Sequence, residues 1–74
     1  MKSIPERRFH RMLRDKGCTW SITGSNEHVI RYRGDLICFY GVRHAKGSKR
    51  EVTIFYVKRF LKQLAELKSR RGEA

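Results

Sequence analysis

The sequence predicts a small α+β domain of order α-β-β-β-α: a three-stranded antiparallel sheet with two helices on one face. Three observations predict it. Apolar residues recur at helical spacing near both ends, as Phe9, Met12 and Leu13 and as Phe60, Leu61, Leu64 and Leu67. Between them lie three short runs rich in β-branched and aromatic residues, separated by turn residues. The chain has 74 residues, enough for a single domain, residues 1–74, around one small core.

The first helix is expected from Ser3 to Lys16. Ser3 and Glu6 stand at capping-box spacing, and Pro5 is tolerated in a first turn whose N–H groups have no intrahelical partner. Arg7, Arg8, Arg11 and Arg14 cover the polar side. Gly17 can take the left-handed conformation that ends a helix. Cys18 to Ile22 alternates as a half-buried strand, although the face taken by Trp20 is left open by its own pattern. Gly24-Ser25-Asn26 is a turn. Glu27 to Arg33 and Leu36 to Arg43 are the second and third strands.

Gly34-Asp35 suits a two-residue hairpin loop of type II′, with glycine first. That loop opposes Tyr32 to Ile37, Ile30 to Phe39 and His28 to Gly41. One face then carries His28, Ile30, Tyr32, Ile37, Phe39 and Gly41, and its apolar character assigns it to the core. The other carries Val29, Arg31, Arg33, Leu36, Cys38 and Tyr40. His44 to Arg50 is a basic loop. The last helix is expected from about Thr53 to Lys68, but its start is ambiguous, because Val52 to Val57 also suits a short strand. Residues 69–74 are expected to fray.

Eighteen Lys and Arg against seven Asp and Glu give a formal charge of +11. A compact domain carrying such a field repels itself, and its usual counterpart is a polyanion. Eleven of the eighteen cations are arginine, which suits bidentate contact with phosphate. No apolar run approaches the ~18–20 residues of a membrane span, and no signal-peptide core is evident at the start, so the expected setting is cytoplasmic, with no membrane partner. Cys18 and Cys38 are expected to be reduced thiols. Their spacing offers no zinc site, and no cofactor is called for.

Two sets of residues carry possible chemistry. His28 opens a strand just after the turn, opposite a glycine that would leave it accessible to a backbone. Histidine titrates near neutral pH and can act as a general acid or base. The alternative is a packed, hydrogen-bonded histidine on a core face. Arg31, Arg33, Arg43, His44, Lys46, Lys49 and Arg50 form the expected phosphate-binding set, with Tyr40 available to stack on a base. His10 reads as a helix-surface residue.

The chain resembles the HicA-like mRNA interferase toxins, whose fold is similar to a double-stranded-RNA-binding domain (dsRBD-like). The resemblance rests on the helix ending in Gly17, on Trp20, on a Gly-Ser turn before a histidine in Gly24-Ser25-Asn26-Glu27-His28, on Val42-Arg43-His44, and on a Lys/Gly loop leading to Phe60-Leu61-Lys62-Gln63-Leu64. The family pattern places its histidine directly after Gly-Ser, whereas here Asn26 and Glu27 intervene. The resemblance implies metal-independent cleavage of mRNA, in which the ribose 2′-oxygen attacks the adjacent phosphorus with His28 moving a proton. It also implies a cognate HicB-like antitoxin as partner. The competing readings are a non-catalytic nucleic-acid-binding module and a small subunit that docks an acidic protein.

Overall fold

The computed structural model describes residues 2–23, 27–44 and 49–73. The elements are β1 (Ser3–Pro5), α1 (Glu6–Asp15), β2 (Cys18–Ile22), β3 (Glu27–Tyr32), β4 (Asp35–Gly41), β5 (Arg43–His44), β6 (Arg50–Thr53) and α2 (Ile54–Arg70). They form two antiparallel three-stranded sheets, ordered β2-β3-β4 and β1-β6-β5. The fold is therefore α+β with two helices and the expected central sheet, and a second small sheet is added to it.

That second sheet corrects the expected N-terminal helix. Ser3 to Pro5 is extended and pairs with β6, with Ile4 opposite Val52. Burial of Val52, with Ile4 packed against the same core, favours the strand over a longer helix. Pro5 is compatible because β1 is an edge strand. Ser3 makes no cap; its hydroxyl donates to the Glu51 carboxylate across the sheet. Helix α1 then starts directly at Glu6, whose negative charge suits a helix N-terminus.

The start of the last helix is settled by the same sheet. The strand ends at Thr53, and the first free N–H of α2, at Ile54, donates to the Lys2 carbonyl at 2.9 Å. Val57, Phe60 and Leu64 are buried, whereas Leu61 is turned out to solvent.

The hairpin register differs from expectation. Tyr32 pairs with Asp35, Arg31 with Leu36, Ile30 with Cys38 and His28 with Tyr40, with a bulge at Ile37. The loop is Arg33-Gly34, both at positive φ (52° and 85°), as a type I′ turn requires. The twist of that turn matches the strands, and the bulge resets the alternation. As a result β3 faces as expected, with His28, Ile30 and Tyr32 inward, but β4 is reversed. Beyond the bulge Cys38 and Tyr40 are buried and Phe39 is exposed, whereas Leu36, before it, is exposed as expected. Gly41 lies opposite Glu27, and Tyr56 covers it: a Cβ there would sit 3.5 Å from the Tyr56 hydroxyl.

Both helices and both sheets feed one core. Phe9 meets Tyr40 and Phe60 edge to face at centroid distances of 4.9 and 5.8 Å. Leu13, Cys18, Ile30, Cys38, Val52, Val57 and Leu64 complete it. Cys18 and Cys38 are free and buried, and burial pushes both thiols up from their ordinary pKa.

Of the tail expected to fray, residues 69–73 are instead ordered onto the end of the last helix, and residue 74 lies outside the described residues. Gly72 is left-handed (φ 75°), and the Glu73 N–H reaches back to the Lys68 carbonyl at 2.8 Å, a Schellman-type closure. The Glu73 carboxylate then accepts from the Tyr32 hydroxyl and the Arg71 guanidinium, and Arg71 also pairs with Asp35. Arg71 and Glu73 thus tie the end of α2 to the hairpin tip.

Candidate functional site

The break from β1 into α1 places Glu6 where three other elements converge. One Glu6 oxygen, Oε2, lies 3.5 Å from His10 Nε2, one helical turn along α1, and 3.6 Å from His28 Nε2 on β3. The Arg50 guanidinium of β6 donates to both Glu6 oxygens, a two-point contact. His10 Nε2 is 2.7 Å from the Tyr40 hydroxyl of β4, and its ring stacks on Trp20 with centroids 4.2 Å apart. The His28 ring stacks on Tyr40 at 4.8 Å. Five polar side chains from four elements thus form one contiguous network.

Protonation states follow from these surroundings. Burial works against a charged Glu6, but the hydrogen bond and charge of Arg50, helped by His10 and His28, hold its carboxyl below the ordinary value. Burial lowers His10, as do the charges of His28, Arg14 and Arg50; Glu6 opposes the shift only in part. Burial, with the Glu6 charge, keeps the Tyr40 phenol protonated far above its usual range. His10 Nε2 and the protonated Tyr40 hydroxyl share one hydrogen bond, whose donor is set by the imidazole tautomer. Among the described residues, His28 Nδ1 is a buried nitrogen with no hydrogen-bond partner.

The network reaches solvent through a cleft of about 390 Å³ lined by Pro5, Glu6, Arg7, Lys49, Arg50 and Glu51. Beside it, the outer side of α1 carries Arg7, Arg8, Arg11 and Arg14, all exposed. A second hollow of similar size lies along Pro5, Arg7, Arg8 and Arg11. Among the described residues only Arg33, Arg50 and Arg71 of the lysines and arginines make ion pairs with carboxylates. The arginines of α1 are free to meet an external anion.

The residues singled out in the sequence are only partly brought together. His28 is 2% exposed, so it packs inside and does not stand at an accessible rim. Tyr40 is 1% exposed and is corrected from a surface stacking ring to a core residue, because the β4 register turns it inward. Arg50 belongs to the cleft but is engaged by Glu6, and Lys49 lines the same cleft. Arg43 and His44 are exposed on β5, paired with Glu51 and Arg50 of β6. Arg31 lies on the outer sheet face, 3.4 Å from the Ser21 hydroxyl. Arg33 is at the hairpin tip, 3.6 Å from Glu73 and over the Tyr32 ring, some five residues or ~16 Å along the strand from His28. Lys46 and the Gly24-Ser25-Asn26 turn lie outside the described residues.

Sequence reasoning missed Glu6, His10 and the arginine side of α1. Glu6 was read as a capping residue, and its i,i+4 spacing to His10 was the one local sign of the network. Among the described residues no group of three His, Cys, Asp or Glu side chains is placed to hold a metal ion. No helix among them is long and apolar enough to cross a membrane. Comparison with protein-family models, curated proteins and solved structures gives no match.

Proposed function

We propose that the chain is an RNA-binding protein that lays a phosphate backbone along the arginine side of α1 and into the cleft at Arg7, Lys49 and Arg50. The observation that carries this reading is the placement of charge. Arg7, Arg8, Arg11 and Arg14 are exposed, without ion-pair partners among the described residues, and continuous with the cleft. Guanidinium groups so placed give phosphate a bidentate partner at little desolvation cost. Equilibrium binding of RNA by wild type and by a variant carrying Arg7→Gln, Arg11→Gln and Arg14→Gln tests it. Binding weakened at least tenfold by the triple change is expected, while equal affinity would refute the assignment.

A second reading, metal-independent RNA cleavage by a HicA-like toxin with a HicB-like antitoxin as partner in the cytoplasm, is favoured by one observation: the Glu6 carboxylate joining His10 and His28 borders the basic cleft. In that chemistry the ribose 2′-oxygen is the nucleophile, so the protein need only move protons and stabilise charge on phosphorus. His10, held neutral and 22% exposed at its side chain, is the better base; His28 is too deeply packed to meet the substrate. Arg50 and Lys49 would stabilise the developing phosphoryl charge. RNA incubated in EDTA with wild type and His10→Ala decides the matter. Cleavage by wild type that falls ~10²-fold or more in His10→Ala supports this reading. Binding without cutting leaves the non-catalytic module.

A further inference from the structure

We infer that the outer side of α2 is a second nucleic-acid contact, one that takes single-stranded RNA by stacking a base on Phe55 and holding the adjoining phosphates on Lys58, Arg59 and Lys62. The inference rests on the RNA-binding reading above and adds a site on a different element.

Phe55 stands in the first turn of α2 and is 56% exposed, the most open aromatic ring among the large exposed apolar side chains. It contributes nothing to the buried core, and its one aromatic neighbour is Tyr56, edge-on at 5.4 Å. Lys58, Arg59 and Lys62 follow at three, four and seven residues, the spacing that puts them on the same side of a helix. Together with Phe55, Gln63 and Glu66 they line a shallow groove of about 360 Å³. None of the three cations pairs with a carboxylate among the described residues. The one acid in the groove, Glu66, lies a turn beyond Lys62.

An open aromatic ring flanked by free cations matches the two needs of single-stranded nucleic acid, a platform for a base and counter-charges for the backbone. At 1.5 Å per residue, Phe55 to Lys62 spans ~10 Å, or roughly three nucleotides at the ~3.4 Å rise of a stacked strand. A duplex keeps its bases stacked on one another, so it can use the cations but not the ring. A second copy of this chain is a poor occupant, because each carries a formal charge of +11.

The test measures binding of a short fluorescent single-stranded RNA and of its duplex to wild type, Phe55→Ala, Phe55→Trp and Lys58→Gln/Lys62→Gln. Phe55→Ala should weaken the single strand about tenfold and leave the duplex unchanged. Phe55→Trp should retain single-strand affinity. The double lysine change should make the single-strand salt slope shallower by about 1.4. All variants should melt with wild type, since the substituted side chains are exposed. If wild type binds RNA and Phe55→Ala binds the single strand equally well, the α2 site is refuted and the α1 surface stands. Equal weakening of single strand and duplex by Phe55→Ala also refutes it. If wild type binds neither RNA, both proposals fall.

Discussion

At the scale of single residues, the Glu6 network decides how His28 behaves. His28 is buried, stacked on Tyr40 and set against the Glu6 carboxylate. His28→Ala should therefore open a cavity and cost ~2–4 kcal/mol, in the range of other buried large-to-alanine changes. Thermal melting of the variant reads this as a drop of order 10 °C or more for a domain of this size. An unchanged melting temperature would mean that the side chain does not pack as described. The same network makes stability depend on pH. His10 is depressed below its ordinary value of 6.5, so between that value and its folded value the unfolded chain binds more protons. Its contribution is complete above pH ~6.5 and is lost as pH falls toward the folded value. Glu6 is depressed below 4.5, so its contribution is present above that value and is lost as pH falls through its folded value. Melting temperature measured from pH ~8 to ~2 should fall in two stages, one below pH ~6.5 and one below pH ~4.5, and His10→Gln should flatten the upper one.

At the scale of elements, the hairpin shows what the sequence could and could not disclose. The existence of β2, β3, β4 and α2 was legible because alternation and helical spacing are local signals. Gly17 at positive φ, ending α1, was legible for the same reason. The register of β3 and β4 was not, because Arg33-Gly34 and Gly34-Asp35 are competing two-residue loops. The choice depends on the packing of Tyr40 beneath Phe9 and on the bulge at Ile37. The sheet β1-β6-β5 was invisible because strands of two to four residues gain their identity only by pairing, and β1 finds its partner far along the chain, with Ser3 opposite Thr53 and Pro5 opposite Glu51. The type I′ turn gives a sharp test. No atom lies within 4 Å of a Cβ built at Gly34, so Gly34→Ala should cost only the conformational penalty of positive φ, about 1 kcal/mol. Arg33→Asn, which places a residue tolerant of positive φ at 52°, should raise the melting temperature. Destabilisation by Arg33→Asn would argue that the Arg33 contact with Glu73 outweighs backbone strain.

At the scale of the whole molecule, charge and fold divide the work. The core of Phe9, Leu13, Tyr40, Val52 and Phe60 holds the two sheets and two helices together, and the cations stay outside it on α1, β5 and α2. The +11 charge makes a polyanion the expected partner from composition alone. Its placement was not legible, because the expected set of Arg31, Arg33, Arg43, His44, Lys46, Lys49 and Arg50 assumed one basic surface made of the sheet and the loop beside it. The fold instead sends Arg33 to the hairpin tip, ties Arg50 to Glu6, and leaves the arginines of α1 exposed and without carboxylate partners among the described residues. The candidate network was hidden for a related reason. Apart from the i,i+4 step from 6 to 10, positions 6, 10, 28, 40 and 50 share no spacing motif, and they meet only once both registers are set.

The most direct measurement is the salt dependence of RNA binding, taken from low to moderate salt on a single-stranded RNA with wild type and with the variant carrying Arg7→Gln, Arg11→Gln and Arg14→Gln. Four to six phosphate contacts give wild type a log–log slope of about −3 to −4, and loss of three of them makes the slope shallower by about 2. A flat wild-type titration, or a triple variant with the wild-type slope, would contradict the assignment of the phosphate backbone to α1 and its cleft.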